Sequence, residues 1–410
     1  MTHDPESFEG GTGLYVHVPF CRSKCDYCGF YSVRVHPGRV EAFLAAVNAE
    51  IEYRNRDARL RGRRFATLYI GGGTPSVLRA DGLRALLRSV SDSFDFDSDV
   101  ETTIEANPES VDPDFAALAA EQPGCRVSLG AQSFDRGVLE TLGRIHDPET
   151  TRSAFGTLRG AGVREINLDL IYGVPGETLD SWAGSLDEAL RLKPDHISIY
   201  CLSVEEGTPF AALVEGGRMP PPDETLQAEM YAAGREKIES AGLEGYEISN
   251  FGTPGSRSRH NRIYWRRGEY LGLGPAAHSF LDGERWCNLP DVEGYCRAVA
   301  EGEDPAEWRE KITVEEALEE TLMLALRTRE GLDLDELERV CGPGPREDIV
   351  SRSASLGREG LMVRAGNRLA IAPKGYFVSD AIIASLLPEA GPESLGTRDP
   401  RPHCVRRKRG

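Results

Sequence analysis

Three cysteines that stand close together in the sequence are the residues best suited to bind a metal. Cys21, Cys25 and Cys28 have the spacing Cys-x-x-x-Cys-x-x-Cys. A structural zinc ion needs four ligands, usually from two Cys-x-x-Cys pairs, and the sequence contains no second pair. Thiolates also hold iron–sulfur clusters, and three of them leave one iron open to an outside ligand. The spacing therefore favours a cluster with a reactive iron over an incomplete zinc site.

The other six cysteines are scattered along the chain. They are Cys125, Cys201, Cys287, Cys296, Cys341 and Cys404. An odd total without close pairing is not typical of a disulfide framework. Reduced structural or exposed thiols are the simplest interpretation of these six, and the chain is expected in a reducing compartment.

Six short segments, rich in apolar and β-branched residues, are predicted to be buried strands. They cover residues 14–19, 66–70, 101–105, 126–129, 165–171 and 196–202. The clearest helical patterns lie between and after them, at 40–53, 114–121, 148–159, 179–190 and 223–240. Alternating strands and helices predict parallel β/α units. Six units predict an α/β fold with a partial (β/α)6 barrel of the TIM type.

A polar or glycine-rich cluster follows each predicted strand. In strand order these are the cysteine segment, Gly71–Pro75, Glu105–Glu109, Gly130–Phe134, the segment from Asp169 to Gly173, and residues 200–203. In β/α barrels the chemistry lies on loops at the carboxyl ends of the strands. The six clusters are therefore expected to form one shared site.

The second half of the chain predicts a smaller domain. Its segments include an aromatic stretch at 260–265, a glycine-rich loop at 272–278 and a helix at 314–327. Residues 332–388 resemble a winged helix, with a hairpin at Gly366-Asn367. We expect a disordered N-terminus at 1–12, a core at 13–250, an α+β C-terminal domain at 251–388 and a disordered tail at 389–410.

Charge and hydropathy exclude several classes of protein. The chain has 66 acidic and 48 basic residues and a net charge of -18, which disfavours a nucleic acid partner. Arg406–Arg409 form a basic run, which is interpreted as a solvated tail. No stretch approaches the roughly 18 apolar residues of a membrane span. The acidic N-terminus lacks the features of a signal peptide, so a cytoplasmic location is predicted.

The cysteine segment after the first strand resembles the signature of the radical S-adenosylmethionine (SAM) superfamily. That resemblance implies a 4Fe–4S cluster on Cys21, Cys25 and Cys28, with the amino and carboxylate groups of SAM on the open iron. It also implies reductive cleavage of SAM to methionine and a 5′-deoxyadenosyl radical, while the protein supplies orientation and a dry site. Tyr27 is implied to pack near the adenine.

Further motifs resemble the oxygen-independent coproporphyrinogen oxidase (HemN) group over residues 13–385. They are Tyr15–Cys21, Asp26–Cys28, Gly71–Ser76, Gln132–Phe134, Leu142–His146 and Asp169–Gly173. The implied SAM contacts are Tyr15, Gly72, Gly73, Thr74, Glu105, Gln132, Arg144 and Asp169. Taken alone, Gly71–Gly73 could be a turn, Arg144 a surface charge and Asp169 a helix cap. Their common position at strand ends favours binding.

Two departures from the oxidase resemble the related heme chaperone (HemW) family instead. Phe30 stands where the oxidase has a fourth cysteine, and the first cysteine is already residue 21. His260–Trp265 matches the HNxxYW motif of that family. The resemblance implies that the protein binds heme and passes it to heme proteins, with a reductant protein for the cluster and transient contact with membrane proteins.

His260 is the candidate heme-binding residue, because neutral imidazole is a common iron ligand and flanking aromatics suit a porphyrin. The alternative is that His260 caps a loop while Tyr264 and Trp265 belong to the core.

Two other functions stay open, namely oxidative decarboxylation of coproporphyrinogen III and another radical SAM reaction such as methyl transfer. Gly272–Ala277 imitates a dinucleotide-binding fingerprint, but Pro275 removes a backbone N–H that a phosphate would need.

Overall fold

The computed structural model describes residues 10–387. Within them the chain forms two compact units, one reaching Trp308 apart from Trp265–Arg267, and one made of those three residues and the chain from Arg309 onward. The predicted disordered tail and residues 1–9 of the predicted disordered N-terminus lie outside the described residues. No helix in the described part of the chain is long and apolar enough to cross a membrane.

The strands between residues 12 and 311 belong mainly to one large sheet. They are β1 (Thr12–Val18), β2 (Phe20–Cys21), β3 (Val33–Arg34), β4 (Arg64–Gly72), β5 (Asp95–Ala106), β6 (Cys125–Gln132), β7 (Glu165–Tyr172), β8 (His196–Cys201), β9 (Glu244–Gly245), β10 (Asn250–Gly252), β11 (Tyr270–Leu273), β12 (His278–Leu281), β13 (Glu284–Asn288) and β14 (Ala306–Lys311). Twelve of them form a sheet in the order β14-β13-β12-β11-β1-β4-β5-β6-β7-β8-β10-β9, while β2 and β3 pair separately.

Helices connect the strands of this sheet. They are α1 (Pro37–Arg54), α2 (Arg79–Ser93), α3 (Pro113–Glu121), α4 (Arg136–Thr141), α5 (Pro148–Gly160), α6 (Leu179–Arg191), α7 (Pro209–Glu215), α8 (Glu224–Ser240), α9 (Arg259–Trp265) and α10 (Val292–Ala300). Local sequence explains where several begin, because Asp147 and Thr178 accept hydrogen bonds from the first-turn backbone of α5 and α6. The short 3-10 helices are Ala58–Leu60, Pro75–Leu78, Pro108–Ser110 and Pro373–Val378.

The six predicted strands are the parallel centre of the sheet, and the partial barrel is confirmed. β1, β4, β5, β6, β7 and β8 are neighbours in that order and pair in parallel. All residues of β6 are buried, as expected for a strand covered on both faces. The carboxyl ends of these strands therefore lie at one edge, as a shared site requires.

The first unit extends well beyond the predicted core boundary at residue 250. β11 pairs in parallel with β1 from Gly13 to Val16, and β12 and β13 continue the sheet antiparallel. The segment predicted as a glycine-rich loop at 272–278 is thus a strand, a turn and the start of another strand. Because β11 is only four residues long and contains a glycine, its pattern did not predict a strand.

The second unit has the predicted small α+β composition. Its helices are α11 (Val314–Ala325), α12 (Leu334–Cys341), α13 (Gly344–Arg358) and α14 (Ser379–Leu386), and its strands are β15 (Leu332–Asp333), β16 (Met362–Ala365) and β17 (Arg368–Ile371). The strands form an antiparallel sheet in the order β15-β17-β16. The predicted hairpin at Gly366-Asn367 joins β16 to β17. Leu337, Ile349 and Leu369 are buried in this unit.

Candidate metal centre and barrel interior

The cysteine loop begins at the carboxyl end of β1 and is closed at its base by β2 and β3. The backbone N–H of Val33 donates to the carbonyl of Pro19 (2.7 Å), and that of Val35 donates to Cys21 (2.9 Å). Cys21, Cys25 and Cys28 are partly exposed and form no disulfide. The fold therefore presents three thiols on one short, anchored loop.

The donor set fits a cluster better than a single ion. No three His, Cys, Asp or Glu side chains within residues 10–387 converge tightly enough to hold one metal ion. A cubane cluster binds each thiolate at a different iron, so its cysteines need not meet at one point. Burial raises the pKa of Cys21 and of Cys28. Burial alone therefore keeps these two groups as neutral thiols. A bound metal cation would stabilise their thiolate forms.

Arg144 lies directly beside the cysteine loop. Its Nη1 donates to Sγ of Cys25 (3.2 Å), and its Nη2 donates to Oδ1 of Asn107 (2.7 Å) and the carbonyl of Gly130 (3.1 Å). This half-buried guanidinium is thus fixed by three partners, so the alternative of a surface charge is wrong. A cation held against a thiol favours the thiolate that an iron needs.

Thr74 completes an arc of hydrogen bonds between two of the cysteines. Its hydroxyl donates to Sγ of Cys21 (3.6 Å) and accepts from Nδ2 of Asn107 (3.0 Å). Asn107 in turn accepts from Arg144. The arc Cys21–Thr74–Asn107–Arg144–Cys25 therefore holds the loop against the ends of β4 and β5. Asn107 was not among the predicted site residues, although it lies in the Glu105–Glu109 cluster.

The glycines after β4 allow close contact with three different groups. A Cβ atom at Gly71 would lie 2.8 Å from the Glu105 carboxylate, one at Gly72 would lie 2.6 Å from the His17 ring, and one at Gly73 would lie 2.6 Å from the carbonyl of Phe20. Side chains at these positions would collide with their surroundings. Residues 71–73 are thus tightly enclosed between Glu105 and the segment from His17 to Phe20 that leads into the cysteines.

Glu105, near the carboxyl end of β5, is held by neutral donors in the part of the chain that the structure describes. The hydroxyl of Tyr69 donates to its Oε1 (2.7 Å) and the N–H of Gly72 donates to its Oε2 (3.1 Å). Burial raises the pKa of Glu105 to about 7. Among residues 10–387, both groups that donate to the Glu105 carboxylate are neutral. Such a carboxylate favours a ligand that brings hydrogen-bond donors and positive charge.

Asp169 lies in the middle of β7, which excludes its interpretation as a helix cap. Ser128 donates to its Oδ2 (2.7 Å) and Asn167 donates Nδ2–H to its Oδ1 (2.8 Å). Burial raises the pKa of Asp169. Ser128 and Asn167 were not predicted, because their position inside the barrel depends on the pairing of β6 with β7.

Three other predicted residues surround this interior. The Tyr15 hydroxyl lies within hydrogen-bond distance of His17 Nδ1 (3.0 Å), and burial lowers the pKa of His17 to about 4. Gln132 has a left-handed backbone (φ 63°) at the end of β6, a strained conformation typical of binding sites. Tyr27 packs against a buried apolar cluster that includes Leu142 and Phe210, which anchors the cysteine loop from below.

His260 lies apart from the cysteine loop. Only 1% of it is exposed, and both ring nitrogens have partners, with Thr67 Oγ1 2.7 Å from Nδ1 and the Tyr264 hydroxyl 2.8 Å from Nε2. Its motif forms α9. His260 of this helix contacts Thr67 on β4 and Glu101 on β5. The structure thus joins the cysteines with Thr74 and Arg144, and Gly72 with Glu105, but leaves His260 in the core.

Comparisons with known proteins agree with this architecture. Residues 15–189 match the radical SAM superfamily, and residues 312–378 match the HemN C-terminal domain. The heme chaperone HemW of Mycobacterium tuberculosis is 37% identical over 92% of this chain and 94% of its own length. HemW of Bacillus subtilis is 32% identical over 92% of this chain and 99% of its own length.

A solved structure shares the fold of nearly the whole chain. The Escherichia coli coproporphyrinogen III oxidase HemN superposes with a TM-score of 0.79, at 23% identity over 93% of this chain and 91% of that chain. At this identity the likeness establishes the fold.

Proposed function

Since this chain belongs to the HemW heme chaperone family of the radical SAM superfamily, we propose that it binds heme and delivers it to heme proteins. The observation that supports this proposal within the structure is Phe30. It is 68% exposed beside Cys28, where the resemblance to the oxidase implies a fourth cysteine. An exposed aromatic ring at that position offers an apolar contact to a porphyrin instead of another thiolate.

The radical SAM superfamily implies a 4Fe–4S cluster and SAM, which together supply one-electron chemistry when bound. Cys21, Cys25 and Cys28 would hold the cluster. Arg144 and Thr74 would donate hydrogen bonds to two of these thiolates, which orients them and raises the reduction potential.

Glu105 is the group that we assign to the amino end of SAM. Its carboxylate has two neutral donors, and an ionised carboxylate can accept further hydrogen bonds. The closely packed backbone of Gly72 and Gly73 would line the methionine part. Asp169 and Ser128 would receive the ribose hydroxyls inside the barrel, with Gln132 and Tyr15 around them. Tyr27 would pack near the adenine.

Delivery of heme implies partners that this chain would meet in turn. We propose heme proteins as recipients, some of them membrane proteins met transiently, and a separate reductant protein for the cluster. The partly exposed cysteine loop would allow such a reductant to approach the cluster.

The experiment uses anaerobically reconstituted protein loaded with one equivalent of heme. Transfer to an apo heme protein is followed by the change in its absorption spectrum, with heme-loaded albumin as the reference donor. We expect transfer that is faster than from albumin. The control replaces Cys21, Cys25 and Cys28 by alanine and shows whether delivery needs the cluster.

A second assay examines the oxidase alternative with the same preparation. Coproporphyrinogen III, SAM and a reductant are added, and the products are analysed by chromatography and mass. We expect no decarboxylated porphyrinogen. Catalytic decarboxylation together with no specific heme binding would overturn the chaperone proposal.

A further inference from the structure

The buried His260 of α9 is connected through the Tyr69 ring to Glu105, the carboxylate that we assign to SAM binding. The His260 ring lies 5.0 Å from the ring of Tyr69, at an angle of 33°. On its far side, the Tyr69 hydroxyl donates to Glu105 (2.7 Å), and Glu105 accepts from the N–H of Gly72 (3.1 Å). One continuous series of contacts therefore leads from His260 to the glycine loop.

We propose that His260 is a positioning residue for SAM, which holds Tyr69 and thereby Glu105 in place, and that it is not the axial ligand of heme. This inference rests on the proposed binding of SAM at Glu105. It gives the HNxxYW segment a role inside the barrel.

The anchoring of α9 fixes the depth of His260. The backbone N–H groups of Arg259 and His260 donate to Oε2 (2.9 Å) and Oε1 (3.0 Å) of Glu101 on β5. Glu101 precedes Glu105 by four residues, which is about 13 Å along a strand. His260 is therefore held toward the amino end of the strands, whereas the cysteine loop lies at their carboxyl ends.

The surroundings of the His260 ring leave no approach for a porphyrin. Each ring nitrogen is already within hydrogen-bond distance of a hydroxyl, from Thr67 or Tyr264. A Cβ atom at Gly13 would lie only 3.0 Å from Cε1 of the ring, so the strand β1 is packed directly against it. Burial lowers the pKa of His260 to about 3, so the ring is neutral and held by neutral partners.

The same contacts explain how the ring could control Glu105. Thr67 and Tyr69 are two residues apart on the inner face of β4, and His260 contacts both. Tyr264 packs edge-on against His260 at 4.8 Å. Removal of the imidazole would leave a cavity beside the Tyr69 ring. The ring could then move into this cavity, which would draw its hydroxyl away from Glu105.

The test is a double-mutant cycle measured on the reconstituted protein by anaerobic calorimetry with SAM. We expect Tyr69→Phe, which deletes the hydroxyl, to raise the Kd for SAM about tenfold, and His260→Ala, which only displaces it, to raise the Kd about fivefold. Since both act through the same hydroxyl, the double variant should stay near tenfold, against about fiftyfold for independent sites. His260→Gln, which retains a planar hydrogen-bonding group, should restore part of the affinity.

Two further measurements separate positioning from general loss of structure and from heme ligation. Leu86→Ala, at a buried position on α2, is the control for the loss of thermal stability in His260→Ala. It should leave the Kd for SAM unchanged. Ferric heme added to His260→Ala should give the absorption and EPR spectra of the wild-type complex. If His260→Ala does not fold, Thr67→Val replaces it in the double-mutant cycle. This change removes the hydroxyl that holds the His260 ring, with almost no change in side-chain volume.

The outcomes are distinct. An unchanged Kd for SAM in His260→Ala, or full additivity with Tyr69→Phe, would overturn the positioning role. A changed spectrum of the bound heme in His260→Ala would overturn the claim that His260 is not its axial ligand. If the wild-type protein bound no heme at all, the chaperone proposal would fail while the SAM cycle would still decide the role of His260.

Discussion

Two buried glutamates, Glu50 on α1 and Glu105 on β5, show how the same side chain is used in two different ways. Glu50 accepts from Arg54, Asn288, the N–H of Gly274 and the Tyr295 hydroxyl, and its partner Arg54 is only 3% exposed. Glu105 accepts from one hydroxyl and one N–H, and no cation pairs with it within residues 10–387. The first carboxylate is completed by the fold, whereas the second one is left for a ligand to complete.

A buried charge serves structure at Glu50 and ligand binding at Glu105. Glu50 joins α1 to α10 and to the turn after β11, which no prediction placed in the core. Its loss is therefore expected to affect stability. Loss of Glu105 is expected to affect SAM, because the fold itself does not satisfy this group.

The largest expected effect is on stability, from Glu50→Ala. This change removes the carboxylate that lies 3.0 Å from the buried Arg54 guanidinium and leaves it the longer ion pair with Asp304, at 3.4 Å. Loss of a buried partner of this kind costs about 3–5 kcal/mol in the free energy of unfolding. Denaturant titration of the apoprotein measures this loss. Glu41→Ala, an exposed change on the same helix, is the control and should stay within about 0.5 kcal/mol of wild type.

The second effect is on ligand affinity, from Glu105→Gln. Loss of a charged acceptor is worth about 1.5–3 kcal/mol, so we expect the Kd for SAM to rise by roughly 10- to 150-fold. The free energy of unfolding should not fall. A variant that loses stability as Glu50→Ala does, while retaining SAM affinity, would invert the comparison between the two glutamates.

The third effect is a pH dependence that belongs to Glu105. Because burial raises the pKa of Glu105 to about 7, the empty site takes up a proton below neutral pH, and SAM must displace it. The Kd should rise by up to about tenfold for each pH unit below 7 and level off above pH 8. Calorimetry from pH 6 to 8 measures the slope, which Glu105→Gln should abolish.

Glu105 should also influence stability over the same range. Its pKa in the fold is higher than the ordinary value of 4.5, so its stabilising contribution is present at low pH and is lost as the pH rises through 7. At pH 8, therefore, Glu105→Gln should be at least as stable as wild type, and thermal unfolding at pH 5 and pH 8 would reveal the difference.

The smallest effects come from two tyrosines that form a matched pair. Tyr295 donates to Glu50 and Tyr69 donates to Glu105, each at 2.7 Å. Tyr295→Phe should cost about 1 kcal/mol of stability without affecting SAM, whereas Tyr69→Phe should mainly weaken SAM. Equal losses of SAM affinity in both variants would show that the two glutamates are not functionally separate.

The sequence predicted the six central strands because their apolar residues form dense, buried runs. It predicted the cysteine loop because the spacing of three thiols is a local pattern. It did not predict β11–β13, where short strands, glycines and Pro275 hide the sheet edge, and so it placed the end of the core at residue 250. The role of His260 depends on contact with Thr67, 193 residues away, which no local pattern contains.

The three consecutive glycines after β4 constrain how this protein can change over generations. Each faces a different obstacle, namely a carboxylate, an imidazole ring and a backbone carbonyl. A compensating change in one neighbour would therefore free only one position. In a library randomised at residues 71–73 and selected for function, glycine should return at all three sites, while Gly156 and Gly184, which have open space around them and no left-handed backbone, should accept other residues.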